Sequence, residues 1–330
     1  MRPLIRGRFA MAVKIAGSPP RPAGGAAPTP PRRASDRVAY IYLLPVIVAA
    51  IIFTILPFIY TVYIAFTNYS LFHFQEFEFV GLENFRRIFA AGSGFVPVLG
   101  WTVTWMGLST IFNVGVGMIL AMMLNHPRLV ERNVYRTLLI IPWALPVILM
   151  VQVWAGIFNN QGPLNLLLSN IGIKGPNWLA QANPARAALI MVNLWLSYPF
   201  FMTVCLAALQ AIPRDLYEVA DLDGAGGWAR FRYITWPFMI AAITPLIITQ
   251  LAFQFQNAGV IILLTAGKPL AYPGSQYGAT DSLASYAYNL VFSLRQYGLS
   301  AAYGIIIFVV VSSFTIFNSI ATGAFKEREA

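Results

Sequence analysis

Charge is what this sequence has least of. Only 10% of its 330 residues are Asp, Glu, Lys or Arg, against 58% that are hydrophobic, and the mean hydropathy is +0.66. A soluble domain carries roughly 25% charged residues, so a water-bathed globule is excluded. There is one cysteine, Cys205, which rules out an intrachain disulfide framework. The two histidines, His73 and His126, are far apart and have no clustered partners, so no metal-ligand set is visible. No G-x-x-x-x-G-K-[ST] loop occurs, and the nearest fragment, Gly267-Lys268, lacks the earlier glycine that would cradle a nucleotide phosphate. No Ser/His/Asp constellation with a plausible setting is present, so no enzyme active site is visible. No apolar core of the needed length precedes Pro19, which argues against a cleaved signal peptide.

Long apolar runs are what the sequence does contain. A helix of about 20 apolar residues can cross a bilayer, and six runs qualify, at about 38–66, 98–124, 136–158, 186–211, 237–266 and 299–324. Charged residues keep out of them, and Arg186 marks an edge. The runs are continuous rather than alternating, and lipid offers backbone groups no partner outside their own segment. Helices rather than a barrel follow. The fold class is therefore an all-α membrane protein with about six transmembrane helices.

Basic residues set the orientation. Of 22 Lys and Arg, sixteen lie in the N-terminal stretch to Arg37, in the loops after the second and fourth runs, and in the C-terminal tail. The opposite side holds Arg86, Arg87, Lys174, Arg186, Lys268 and Arg295. Both termini are expected on the cytoplasmic face. The net charge of +10 reflects this asymmetry, and nucleic acid is not an expected partner. Residues 1–37 are rich in Pro, Ala, Gly and Arg and read as a disordered cytoplasmic tail. Residues 38–97 then hold the first helix and an aromatic outer loop, FHFQEFEFVGLENF, suited to the membrane interface. Residues 98–325 form the core.

One charged island interrupts this core. Between Ile212 and Pro237 the chain reads I-P-R-D-L-Y-E-V-A-D-L-D-G-A-G-G-W-A-R-F-R-Y-I-T-W-P. Pro213 stops the preceding helix or starts a new one. Asp215 to Leu222 read as a short amphipathic helix, and Gly224, Gly226 and Gly227 allow a sharp turn. Trp228, Phe231 and Ile234, at helical spacing, make a second short segment that Pro237 should end as the fifth run begins. A helix-turn-helix on the cytoplasmic face could anchor to lipid headgroups or dock into a partner. The pattern Glu218-Val219-Ala220, three residues, Gly224, nine residues, Ile234-x-x-Pro237 resembles the EAA motif of importer-type ABC transporter permeases, with Val219 in place of the first Ala. The resemblance implies the type I importer (MetI-like) permease fold and a coupling helix that fits a groove in a separate ATPase subunit. Coupling residues would be Glu218, Ala220, Asp223, Gly224, Ala225, Phe231, Ile234 and Pro237.

Uncharged amides sit in the fourth and fifth runs. Gln250, Gln254 and Asn257 follow i, i+4 and i+7 and should share a face with Phe253 alongside, while Asn193, Leu196, Ser197 and Phe200 form a similar stripe. Pro199 should kink that helix. These amides could join helices by hydrogen bonds, or line a polar cavity whose aromatic walls suit a neutral polyhydroxylated ligand. An ionic cargo would want a countercharge, and the runs have none. The stretches VGLENF, IPWALP, VNLWLSYPF and TDSLASYAYNLVF resemble the maltose/maltodextrin branch of these permeases. That resemblance places sugar contacts on Leu196, Ser197, Phe200, Gln250, Phe253, Gln254 and Asn257. It implies a permease subunit in a bacterial or archaeal cytoplasmic membrane, importing a maltose-like oligosaccharide, with trehalose, another disaccharide or glycerol-3-phosphate as alternative cargo. The implied partners are a second homologous permease, a cytoplasmic ATPase homodimer that binds the ATP and Mg, an extracytoplasmic sugar-binding protein, and membrane lipid. The chain itself would bind no cofactor and catalyse no bond change. A stand-alone facilitator is the rival from another class. The stretch 267–298 reads as an outer loop, facing either the binding protein or plain solvent.

Overall fold

The structure is a computed structural model and describes residues 36–321. All but the last two residues of the expected basic tail, and the C-terminal Lys326 and Arg328, lie outside them. Among the described residues regular structure is entirely helical, apart from three isolated bridges. Helix α1 is Tyr40–Ala65, α2 is the short helix Glu83–Phe89, and α3 is Phe95–Leu124. Then come α4 (Arg132–Ala144), α5 (Val147–Ile157), α6 (Pro163–Asn170) and α7 (Ala182–Gln210). Helix α8 is Arg214–Leu222, α9 is Gly227–Gln256, α10 is Gly259–Leu264, α11 is Leu283–Phe292 and α12 is Tyr297–Ala321. Five of these, α1, α3, α7, α9 and α12, are long and apolar enough to cross a membrane.

The chain parts into two compact units, one ending at Leu56 and one beginning at Pro57. In the first, the apolar side chains from Tyr40 on are exposed throughout, an arrangement that lipid tolerates and water does not. The second unit holds the bundle.

Prolines explain where the helices depart from the apolar runs. The third run is not one straight span but α4 and α5, bent by 93°. Pro146 has no N–H to continue α4, and it pushes Leu145 into extended backbone at φ −93°, ψ 146°. Two other prolines behave differently. Pro57 and Pro237 are each preceded by a five-residue π-helical stretch, Ile51–Ile55 and Phe231–Thr235. The ring of a helical proline crowds the carbonyl four residues earlier, here Phe53 and Tyr233, the central residue of each stretch. Widening the turn relieves that crowding. In both, the residue just before the proline bonds five residues back, Leu56 N–H to Ile51 O and Trp236 N–H to Phe231 O. Pro237 therefore does not end the second short segment, and α9 runs unbroken from Gly227.

The fifth run also ends early. Helix α9 stops at Gln256, and Asn257 is extended at φ −78°, ψ 108°. Its Oδ1 accepts the Gly259 N–H at 3.1 Å and so starts α10.

The bundle is built on α3 and α7, which share the most extensive helix contact. Between apolar helices in lipid, close van der Waals approach replaces the hydrophobic effect, and Gly117 supplies it. A Cβ there would meet Phe201 Cβ at 2.6 Å and the Met202 backbone nitrogen at 2.7 Å. Three apolar clusters result. One joins α11, α12 and the start of α3 around Val98, another centres on Trp101, Val192 and Ile261, and a third on Met118, Met202 and Met239.

Candidate functional site

Helix α8 is the amphipathic helix that the charged island implied. It follows Pro213 and carries Asp215 in its first turn, where the helix dipole favours negative charge. Its end is a Schellman motif: Ala225 N–H bonds Ala220 O at 2.8 Å and Gly224 N–H bonds Asp221 O at 3.1 Å. The motif needs a left-handed residue, and Gly224 sits at φ +73°. A Cβ there would meet nothing within 4 Å, so the demand for glycine is conformational rather than steric.

The turn returns the chain into α9; two contacts lock the segments together and an aromatic row stiffens the start of α9. The Tyr217 and Thr235 hydroxyls lie 2.9 Å apart. Arg230 pairs with Asp221. Trp228 packs on Phe231 and Phe231 on Trp236, with ring centroids 5.5 and 6.1 Å apart. Glu218 behaves differently from its acidic neighbour Asp221: it is exposed, and among the described residues it has no hydrogen bond or ion pair. Large apolar side chains are exposed beside it, Leu222 at 88% and Trp228 at 74%. Behind α8 lies a cavity of about 790 Å³ that runs to the loop after α3, walled by Arg132, Arg214, Tyr217, Glu218 and Arg230 among others. Of the other residues singled out here, Ala220, Ala225, Phe231 and Ile234 are half-buried, while Asp223 and Pro237 are exposed.

The amide stripe divides into an inner and an outer set. Gln254 is fully buried and its Nε2 donates to Asn193 Oδ1 at 3.4 Å, across α9 and α7. Leu196 is buried in the outer apolar cluster. Ser197, Phe200 and Gln250 are half-buried, Phe253 is 51% exposed, and Asn257 is half-buried beyond the end of α9, off the helical face of the two glutamines. Phe200 meets Trp143 edge-on at 6.2 Å.

The stretch 267–298 is not a loop throughout. Leu283, Tyr286 and Leu290, at i, i+3 and i+7 on α11, are buried in the first cluster. The approach to α11 is organised by Asp281, which is 3% exposed and accepts from Gly278 N–H, Ser285 Oγ and Asn289 Nδ2 at 2.8, 2.8 and 3.1 Å. Burial pushes its carboxyl above the ordinary value, and the three hydrogen bonds offset part of that rise. Arg186 joins this segment to α7 through Nε–H to Ala279 O at 2.8 Å, with its guanidinium 4.7 Å over the Trp101 ring. Sequence reading passed over this centre, although Ser282 and Ser285 form a capping box whose three-residue spacing was visible.

Comparison with known proteins gives one consistent answer. The family model described as "Binding-protein-dependent transport system inner membrane component" matches residues 113–324. The galactooligosaccharides transport system permease protein GanP of Bacillus subtilis (strain 168) is 38% identical over 302 residues, covering 89% of this chain and 72% of that protein. The maltose/maltodextrin transport system permease protein MalF of Salmonella typhimurium is 40% identical over 252 residues, or 74% of this chain. The chain matches 49% of that protein's length, about half. A solved bacterial ABC transporter involved in the import of the acidic polysaccharide alginate has a chain that matches with a TM-score of 0.74 at 26% identity, covering 88% of this chain and 96% of that one.

Proposed function

The chain belongs to the family of binding-protein-dependent transport system inner membrane components, and from that premise we propose that it is the membrane-spanning subunit of an ATP-driven importer that carries a neutral oligosaccharide into the cytoplasm. The observation that carries this reading is the α8–turn–α9 unit. An unpaired Glu218 and exposed Leu222 and Trp228 stand at the end of two long apolar helices. Apolar side chains at that level need a cover, and a groove in a cytoplasmic ATPase supplies one, with a basic residue there for Glu218. The ATPase acts as a homodimer and holds the ATP and Mg; this chain does the moving. Because α9 continues from the docked turn without a break, a push on α8 is delivered to α9, and packed helices answer by shifting between discrete arrangements.

The sugar path runs along the outer set of the stripe. Ser197, Phe200, Gln250, Phe253 and Asn257 offer amides, a hydroxyl and ring faces, and Leu196 and Gln254 stand behind them. Neutral donors and acceptors beside aromatic faces fit sugar hydroxyls and C–H surfaces. The cargo is a maltodextrin or a galactooligosaccharide, on the likeness to permeases named for those sugars. A second homologous permease completes the path, an extracytoplasmic binding protein delivers the sugar, and both termini of this chain lie on the cytoplasmic side. The test is ATP-dependent uptake by vesicles holding the assembled complex, run with a panel of maltodextrins, galactooligosaccharides and trehalose. Uptake of one neutral class that requires both ATP and the binding protein supports the reading. Flux through this chain alone without ATP contradicts it.

A further inference from the structure

Helix α3 crosses the membrane with a polar face that neither the coupling turn nor the sugar stripe uses. Near its outer end the polar groups are satisfied. Trp101 Nε1 donates to Thr280 O at 3.0 Å, and Thr102 Oγ1 accepts the Leu283 N–H at 2.9 Å. Deeper in the membrane they are not. Trp105 Nε1, Ser109 Oγ, Thr110 Oγ1 and both amide atoms of Asn113 have no protein partner among the described residues. Yet Trp105, Ser109 and Asn113 are 0% exposed and Thr110 4%. On the facing helices Asn193 Nδ2 and Gln254 Oε1 are equally unpartnered.

These atoms span about two turns of α3, from Trp105 to Asn113. Arg186 of α7 sits over Trp101, and Gly117 abuts Phe201 and Met202, so α3 and α7 run alongside each other in the same direction. Counting between those contacts sets Ser109 level with Asn193 and Leu194, and Asn113 level with Ser197 and Tyr198, about 6 Å nearer the cytoplasm. Thr110, Asn113 and Gly117, at i, i+3 and i+7, share the face that meets α7. Apolar clusters close the layer on both sides, Leu189, Val192 and Ile261 outward and Met118, Met202 and Ile243 towards the cytoplasm.

Buried hydrogen-bonding atoms without partners are rare and costly, and here they gather on three facing helices. The set mixes donors with acceptors and holds no charge, which matches a hydroxyl oxygen, able to give and take one hydrogen bond at once. We propose that Ser109, Thr110 and Asn113 form a hydroxyl-binding wall inside the bundle, whose ligands are hydroxyl oxygens of water or of the sugar cargo. The cargo half of this inference rests on the sugar path proposed above; the water half does not.

The test is transport by the assembled importer in vesicles, with two sugars that differ in hydroxyl pattern and with Asn113→Leu, similar in shape but apolar, and Ser109→Ala, which removes one oxygen. Transport is expected to fall about tenfold in Asn113→Leu and less in Ser109→Ala, the scale of one lost hydrogen bond, with assembly and basal ATP hydrolysis retained. A loss that differs between the sugars assigns the site to cargo hydroxyls, and an equal loss assigns it to water. If Asn113→Leu does not assemble, Ser109→Ala carries the same reading. Unchanged transport of both sugars, with an equal or higher melting temperature, overturns the proposal. Ser197→Ala and Phe253→Ala read the sugar path separately: if they are silent while Asn113→Leu is not, the sugar path falls and the water site stands.

Discussion

The Tyr217 hydroxyl lies 2.9 Å from the Thr235 hydroxyl, and this side-chain hydrogen bond, with the Asp221–Arg230 pair, ties α8 to the first turns of α9. The Asp221–Arg230 pair beside it is solvent-exposed on the acidic side, and exposed pairs are worth little. If the turn couples to an ATPase as proposed, the hydroxyl pair would set how stiffly it transmits motion. Tyr217→Phe and Thr235→Val should each lower sugar-stimulated ATP hydrolysis about fivefold, the scale of one hydrogen bond. The double variant should be no worse than the worse single one. Additive losses in a double-mutant cycle would show that the two residues act separately.

Gly224 occupies φ +73° with open space around it. An L-residue there costs about 1–2 kcal/mol, so Gly224→Asp should insert and assemble yet lose coupled transport. Glu218→Lys should do the same by reversing a charge that has no partner within the described chain. Wild-type sugar-stimulated ATP hydrolysis in both would remove the coupling role.

Gly117 is held by contact rather than by its backbone. Gly117→Val would press on the Phe201 side chain and the Met202 backbone and should cost about 1–3 kcal/mol, read as a lower melting temperature of the purified chain. Gly115→Ala, where a Cβ meets nothing within 4 Å, is the control and should leave the melting temperature unchanged or slightly raised.

Asp281 carries a pH signature. Its carboxyl is raised in the folded chain, chiefly by burial, so the folded state binds the proton more tightly than the unfolded one. Its contribution to stability therefore falls as pH rises from the ordinary carboxylate range through the folded value, and recovers on acidification. Melting temperature should rise relative to Asp281→Asn as pH falls from neutral to about 5. Asp281→Ala should cost about 2 kcal/mol, more at acid than at neutral pH, because the Gly278, Ser285 and Asn289 donors lose their acceptor. A slope shared by wild type and Asp281→Asn would assign the effect to other groups.

Much of this architecture was legible in the sequence, because lipid imposes one rule: apolar runs become helices. Helix α8 was legible too, from its charge pattern and the glycine after it. The misplaced boundaries fall at prolines and an amide. Pro146 broke a run that hydrophobicity alone made continuous, whereas Pro237 was absorbed by a π-helical turn that no composition signal announces. Asn257 left the α9 helix for extended backbone, its Oδ1 accepting the Gly259 N–H, so its spacing from Gln250 and Gln254 did not carry it onto their face. The α3 polar face went unread because its meaning lies in distant partners: Asn113 stands level with Ser197, far along the chain. Asp281 went unread for another reason: its partners Gly278, Ser285 and Asn289 are near in sequence, but only the fold buries it.

The central claim, that the α8 turn is gripped by a motor outside the membrane, is tested most directly by crosslinking. Cys205 is the sole native cysteine and is buried, so single cysteines placed at Val219 and Leu222, both exposed, can be read against a Cys205→Ala background. The account predicts that, in native membranes, both sites capture a nucleotide-hydrolysing subunit, and that the yield changes when ATP is bound. Crosslinks to lipid alone, with no ATPase recovered from either position, would contradict it.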